Sequence, residues 1–141
     1  MKVMFDTNVY ISFIRNRAHQ DRLQQQGTIK YISAIVLMEL WAGARTQKAE
    51  RLLNQLQKPY RDADRVVTLK VEEYIKIGNI LSDFSAEHKE LLKKASFLND
   101  VQIALTAQSI GAVLFTEDVQ HFGIIRSKLK HLKLEYLIAS A

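Results

Sequence analysis

Short apolar runs separated by longer helical stretches are the feature that most constrains how this chain folds. Residues 2–5 (KVMF), 29–32 (IKYI) and 112–115 (AVLF) are mostly apolar, β-branched or aromatic. They lack the strict polar alternation of a strand that has one face in water. Strands of this kind, joined through helical segments, predict an α/β fold in which a parallel sheet of four to five strands is sandwiched between helices.

The segments around these strands predict the remaining elements. Ser33 is a good helix N-cap, and the run 34–44 (AIVLMELWAGA) is apolar enough to indicate a buried helix. Pro59 indicates a linker after a helix over 46–57. We further expect strands at 65–69 and 134–138, and helices at 8–15, 18–26, 71–84, 86–98, 99–110 and 119–132.

The length and composition predict one domain over residues 1–141, because 141 residues is an ordinary domain size and no repeat or long linker divides the chain. There is no cysteine, which excludes disulfides, thiolate metal sites and a cysteine nucleophile. No apolar stretch approaches the roughly 18–20 residues of a membrane span. Asp6 interrupts the first apolar run before a signal peptide can form, so we expect a cytoplasmic protein.

The net charge of +5 gives only a weak indication of the partner. A positive balance favours a polyanion, because attraction to phosphates acts at long range. Many soluble proteins are equally basic for no special reason, so charge alone leaves this open. The glycine-rich loops of nucleotide-binding sites and the G-x-S-x-G turn of serine hydrolases are absent from the sequence.

A few of the 15 acidic residues stand in apolar surroundings. Asp6 follows VMF, Glu39 lies inside IVLMELWA, and Asp100 lies between FLN and VQIAL. Glu117 and Asp118 follow the run AVLFT. A carboxylate in such a run is unfavourable unless it is paired or bound to a cation. The structural alternative for the three aspartates is a helix cap, and for Glu39 it is an ion pair with a buried arginine or lysine.

The positions of these acids predict that they meet at one edge of the sheet. Ligand sites of parallel α/β sheets form at the carboxyl ends of strands, and Asp6 and Asp118 each follow a predicted strand. Two unit charges about 4 Å apart repel by about 4 kcal/mol at an effective dielectric of about 20. Such a cluster therefore protonates or binds a divalent cation, and oxygen ligands favour Mg²⁺ or Mn²⁺. Cations held in this way activate water and neutralise charge on a phosphodiester.

The histidines show no metal-ligand spacing along the chain; they are His19, His88, His121 and His131. His121 lies near Asp118 in sequence and could touch a substrate, but a surface position is the simpler interpretation.

The residues together resemble the PIN domain family, and most closely the VapC-like toxins of bacterial and archaeal toxin–antitoxin pairs. The resemblance rests on the segments MFDTNVYISFI, IVLMELWAGA and NDVQIALTAQSIGAVLFTEDVQHF, and it covers essentially the whole chain. D-x-N after the first strand, E-L in the buried helix, D-x-x-I-A-x-x-A and T-x-D form a specific combination, although each alone is weak evidence.

The resemblance implies roles for individual residues. The metal-binding and catalytic acids would be Asp6, Glu39, Asp100 and Asp118. The supporting polar residues would be Asn8 beside the first aspartate, Thr116 orienting the site and Ser33 opening the second core helix. Either acid of the pair 117–118 could face the metal. The candidates for phosphate contact, which could equally be solvated helix faces, are Lys93, Lys94, Arg126, Lys128, Lys130 and Lys133.

The resemblance also implies a function. A parallel α/β/α sandwich of this family would be a Mg²⁺- or Mn²⁺-dependent endoribonuclease, acting as the toxin of a type II toxin–antitoxin system. Its implied partners are an RNA substrate, a cognate antitoxin that blocks the acidic site, and a second copy in a homodimer. The alternative is a catalytically inactive PIN-like module with an RNA-binding or regulatory role. Such a module would lack one of the four acids. A haloacid-dehalogenase-like phosphatase is disfavoured, because Asn8 stands where its second acid is needed.

Overall fold

The computed structural model describes residues 1–139, and these form one parallel sheet with helices around it. The strands are β1 (Lys2–Phe5), β2 (Ile29–Ser33), β3 (Val66–Val67), β4 (Val113–Thr116) and β5 (Lys133–Tyr136). The α-helices are α1 (Thr7–Asn16), α2 (Gln20–Leu23), α3 (Ala34–Ala42), α4 (Gln47–Asp62), α5 (Val71–Ser82), α6 (Lys89–Leu92), α7 (Ala95–Ser109) and α8 (Val119–Arg126), with a 3₁₀ turn at Ala86–His88. Within residues 1–139, no helix is both long enough and apolar enough to span a membrane.

The five strands are ordered β3-β2-β1-β4-β5 and all neighbours are parallel. The chain moves outward from β1 to β3 and then crosses back to β4 on the other side of β1. Because crossovers between parallel strands are right-handed, this reversal places the earlier and later helices on opposite faces of the sheet. The predicted fold class, a parallel sheet of four to five strands sandwiched between helices, is confirmed.

The reversal of strand order between β1 and β4 creates the place for a site. Where the polypeptide leaves two neighbouring strands toward opposite faces of the sheet, a crevice opens at the carboxyl ends of those strands. Phe5 of β1 is in register with Phe115 of β4, and the Asp6 N–H donates to the Phe115 carbonyl at 2.9 Å. The residues that follow these two strands therefore enter the same crevice.

The core explains why the central strands are apolar on both faces. Met4 in β1 and Leu114 in β4 are fully buried, and the rings of Phe5 and Phe115 stack with centroids 5.2 Å apart. α7 is the most deeply buried helix, and its buried residues are Phe97, Val101, Ile103, Ala104, Leu105, Thr106 and Ala107.

The predicted linker at Pro59 is wrong, since α4 continues through this residue to Asp62. Proline removes one helical hydrogen bond, and in the last turn few further bonds depend on it. The half-buried Tyr60 hydroxyl lies 2.7 Å from the buried Tyr10 hydroxyl of α1, which holds this turn against the core. A tertiary contact thus overrides a local helix-breaking preference.

The predicted division between helices 86–98 and 99–110 is also wrong. The chain forms a 3₁₀ turn and the short α6, breaks at Lys93 and Lys94, and enters α7 at Ala95. Asp100 therefore lies in the second turn of α7 rather than at its start. The capping alternative for Asp100 is excluded by this position. α8 also ends earlier than predicted, at Arg126.

One apolar face of α5 points outward. Val71, Tyr74 and Ile75 are 71%, 51% and 62% exposed, whereas Ile77 and Ile80 make the contact with the core. These three side chains stand at i, i+3 and i+4 and therefore share one exposed apolar face.

Candidate active site

Four acidic side chains from four elements meet in the crevice between β1 and β4. Asp6 caps α1, Glu39 lies on α3, Asp100 lies on α7 and Asp118 caps α8. Burial raises the pKa of Asp6 and of Asp100, and neighbouring charges add to it: those of Asp100 and Glu39 act on Asp6, and those of Asp118 and Glu39 act on Asp100. The structure thus brings together the four acids that the sequence singled out.

Asp6 is the most buried of these acids, with 3% of the residue exposed. Its Oδ1 accepts from the Thr7 N–H at 2.8 Å, and its Oδ2 accepts from the Thr116 hydroxyl at 2.8 Å. Burial, reinforced by the charge of Asp100, raises the pKa of Asp6 to about 7, while the hydrogen bonds from Thr116 and Thr7 oppose this. Asp6 therefore caps a helix and belongs to the acidic cluster at once.

Asp100 is the second strongly perturbed acid. Its side chain is 13% exposed, and burial together with the charges of Asp118 and Glu39 raises its pKa to about 8. Among residues 1–139, no lysine or arginine forms an ion pair with any of the four acids. Crowded oxygen donors without a side-chain cation fit a hard divalent cation.

Glu39 is held by neutral partners rather than by the buried arginine or lysine that was its structural alternative. Its Oε1 accepts from the Thr7 hydroxyl at 2.6 Å, and its Oε2 accepts from the Asn99 amide at 3.3 Å. Ser33 caps α3 by accepting a backbone N–H at 3.1 Å, which fixes the start of the helix that carries Glu39. α3 is less buried than predicted, since Met38 is 51% exposed.

Thr116 connects the strands and loops that carry the aspartates. Besides donating to Asp6, its hydroxyl accepts from the Asp118 N–H at 3.0 Å and from the Asn8 amide at 3.4 Å. The Asn8 Oδ1 in turn accepts from the Glu117 N–H at 3.2 Å. Asn8 and Thr116 thus tie the start of α1 to the loop between β4 and α8.

Glu117 faces away from the acidic cluster. Its Oε2 accepts from the Ser12 hydroxyl at 2.7 Å and lies 2.6 Å from His19 Nε2, in a place where the glutamate side chain is 11% exposed. Successive residues that leave a strand point to opposite sides. Asp118 is therefore the member of this pair that joins the cluster.

His121 joins the cluster too, so its predicted surface position is wrong. Its side chain is 19% exposed, and its Nδ1 lies 2.8 Å from Asp100 Oδ2 and 3.4 Å from Asp118 Oδ2. Asp118 caps α8 by accepting the His121 N–H at 2.9 Å, which turns the imidazole back toward the acids. The spacing D-x-x-H at a helix start was the available sequence signal, whereas Thr7 and Asn99 showed none.

The predicted phosphate-binding residues divide between two ends of the sheet. Lys93 and Lys94 directly precede α7, on the side of Asp100. Lys133 is in register with Val113 at the start of β4, which is the amino edge, opposite the acids. The residues that lie at or near this far edge are Arg126, Lys128, Lys130 and Lys133.

We expect the stability of the metal-free protein to fall as pH rises from about 5 to about 8. In this window the folded state keeps protons on Asp6 and Asp100 that the unfolded chain has already lost, since the pKa values are about 7 and about 8 against an ordinary 3.8. The free energy of unfolding then decreases with pH by at most about 1.4 kcal/mol per unit for each group.

Urea unfolding in EDTA at pH 5, 6, 7 and 8 measures this slope. Asp100→Asn should flatten it and raise the free energy of unfolding at pH 8. The exposed Asp83 provides the control, because Asp83→Asn should leave the slope unchanged. Equal slopes in the wild type and Asp100→Asn would contradict the assignment.

Glu117→Ala should lower the free energy of unfolding by about 2 kcal/mol, because Ser12 and His19 lose their shared acceptor in a mostly buried place. Glu87, with a side chain that is 80% exposed, is the matched control, and Glu87→Ala should cost less than about 0.5 kcal/mol. Urea unfolding at pH 7 compares the two variants. Similar losses would mean that the Glu117 contacts contribute little.

Comparison with known proteins agrees with the fold and the sequence motifs. The PIN domain family model matches residues 3–124. The structure of VapBC-1 from nontypeable Haemophilus influenzae is similar, with 25% identity, a TM-score of 0.68, and coverage of 96% of this chain and 98% of that chain. DNA-bound VapBC from Salmonella typhimurium gives 27% identity, a TM-score of 0.65, and coverage of 96% and 98%. A comparison with curated protein sequences found no match. The chain belongs to the PIN domain family.

Proposed function

We propose that this protein is a metal-dependent endoribonuclease and the toxin of a type II toxin–antitoxin pair, located in the cytoplasm. The observation that carries the proposal is the meeting of four carboxylates in one crevice with no lysine or arginine paired to them among residues 1–139. Membership of the PIN domain family and likeness to VapBC structures support it. The alternative, an inactive RNA-binding or regulatory module, is disfavoured because all four acids are present.

The acids Asp6, Glu39, Asp100 and Asp118 would hold Mg²⁺ or Mn²⁺. Such a cation activates water and neutralises charge on a phosphodiester. Thr116 fixes the orientation of Asp6, and Thr7 with Asn99 fixes that of Glu39. The raised pKa values of Asp6 and Asp100 mean that a cation displaces protons when it binds, so affinity should increase up to about pH 8.

RNA would approach the crevice past Lys93 and Lys94, which stand at the start of the helix that carries Asp100. Both residues are exposed, and phosphate contact by lysine needs no fixed geometry. The far-edge residues Arg126, Lys128 and Lys130 could reach only parts of an RNA distant from the cleaved bond.

The antitoxin partner has a groove available beside the acids. A cavity of about 200 Å³ opens at Glu39, and its apolar lining consists of Ile11, Ile14, Leu40, Leu52 and Leu53 together with small residues. Ile14 and Leu52 are each 40% exposed. An apolar antitoxin segment seated here would cover these side chains and obstruct Glu39.

The exposed face of α5 would join two copies in a homodimer. Val71, Tyr74 and Ile75 lie on one side of that helix, and burying them against their counterparts would remove the most exposed apolar helix face of residues 1–139 from water.

Purified protein free of any partner should cleave RNA in Mn²⁺ and not in EDTA. Asp6→Asn and Asp100→Asn should each reduce the cleavage rate by at least about 100-fold, because each removes an acidic ligand from the cluster. Gel analysis of end-labelled RNA measures the rate. Asp83→Asn, an exposed aspartate on the same chain, should cleave like the wild type.

Unchanged cleavage in both cluster variants would overturn the proposed site. Stoichiometric Mn²⁺ binding without cleavage of any RNA tested would favour the inactive module.

The α5 surface predicts a concentration-dependent dimer that Ile75→Glu disrupts, because a charge would be buried between the two copies. Light scattering after size-exclusion chromatography measures the mass. Lys76→Glu is the control, since Lys76 is exposed but lies on another side of the same helix. A monomeric wild type, or a dimer unaffected by Ile75→Glu, would contradict this interface.

A further inference from the structure

We propose that His121 is itself a metal ligand, so that the cation is held by one nitrogen as well as by carboxylate oxygens and Mn²⁺ is preferred over Mg²⁺. This inference rests on the proposed metal site and adds to it a residue outside the four-acid set. The sequence pattern assigned His121 to the surface, and only the packed structure places it among the acids.

The geometry around His121 is that of a ligand set. One donor atom each from Asp100, Asp118 and His121 lie within 4.8 Å of one another. Neighbouring ligands in an octahedral site with bonds of about 2.1 Å are separated by about 3 Å. The His121 Nδ1 lies 2.8 Å from Asp100 Oδ2 and 3.4 Å from Asp118 Oδ2, which fits adjacent positions around one ion.

The imidazole is fixed in this position by its surroundings. Phe97 of α7 meets the ring edge to face, with centroids 5.3 Å apart and planes at 88°. The backbone N–H of His121 is bound by Asp118, which is another member of the proposed ligand set. The Phe97 contact orients the ring, and the bond to Asp118 fixes the backbone that carries it; a ligand that is already oriented loses little entropy on binding.

The chemistry of the donor predicts the metal preference. Imidazole nitrogen is a softer donor than carboxylate oxygen and suits later transition metals, whereas Mg²⁺ prefers oxygen and keeps its water. Adding one nitrogen to a carboxylate set therefore favours Mn²⁺ over Mg²⁺ and Co²⁺ over Mn²⁺. A site made only of Asp6, Glu39, Asp100 and Asp118 would show no such dependence on His121.

Pulsed electron paramagnetic resonance of the chain with one equivalent of Mn²⁺ tests the assignment directly. We expect a ¹⁴N coupling to the ion in the wild type and its loss in His121→Gln. His19→Gln is the matched control, because His19 is a partly buried histidine that contacts Glu117 and not the acidic cluster. It should retain the coupling, and circular dichroism should show that both variants are folded.

Calorimetric titration gives an independent measurement. His121→Gln should weaken Mn²⁺ binding by about tenfold or more and Mg²⁺ binding by a smaller factor. Equal weakening for the two metals would mean that His121 only positions Asp100 and does not bind the ion, which would overturn the proposal.

The outcomes separate this inference from the proposed function. Mn²⁺ that binds the wild type, fails to bind Asp100→Asn and shows no ¹⁴N coupling would overturn the role of His121 and leave the acidic site intact. A wild type that binds no Mn²⁺ would overturn both. A ¹⁴N coupling that persists in His121→Gln would place the nitrogen on another residue and overturn the assignment.

Discussion

Repulsion among carboxylates in one crevice is the constraint on which the rest of this structure depends. Folding takes Asp6 and Asp100 out of water and places each near other acids; burial, and then the charge of Asp100 on Asp6 and those of Asp118 and Glu39 on Asp100, raise the pKa of both carboxyl groups. Burial of a charge is unfavourable, and crowding with like charges adds to it. Hydrogen bonds from neutral donors stabilise the carboxylates of the cluster, since Thr7, Asn99 and Thr116 each donate to one of them.

The strand order determines where this crowding occurs. Because the chain reverses direction between β1 and β4, the loops that follow these strands separate and leave space for side chains from both faces. Thr116 stands at the end of β4 and bonds to Asp6 at the end of β1, so one hydroxyl joins the two sides of the crevice. The strand order and the hydrogen bond from Thr116 to Asp6 therefore both position the ends of β1 and β4 at this crevice.

Local sequence patterns predicted the strands and the four acids, because both are recognised within a few residues: an apolar run, followed or interrupted by a carboxylate. These local patterns failed where contacts between residues far apart in the chain determine the structure. Pro59 remains helical because Tyr60 is held by Tyr10, which is 50 residues away in the chain. Glu117 and Asp118 are adjacent in sequence and differ only in the side to which the strand end directs them. The apolar residues of α5 recur at helical spacing, yet this spacing alone does not say whether an apolar face meets the core or points outward.

His121 shows how the same atoms can serve the site with and without a cation. The carboxyl group of Asp100 and His121 Nδ1 share one hydrogen bond: a protonated Asp100 donates to this nitrogen, and an ionised Asp100 accepts from it. Coordination needs the lone pair of that same nitrogen, so an incoming cation replaces the hydrogen bond rather than adding to it. The cation then satisfies both Asp100 and the imidazole and relieves the repulsion between Asp100 and Asp118. Without it, the hydrogen bond between Asp100 and the imidazole holds these two side chains together. The ligands therefore lie close together before the cation binds. Their mutual repulsion lowers the free energy of unfolding, and the bound cation removes this repulsion.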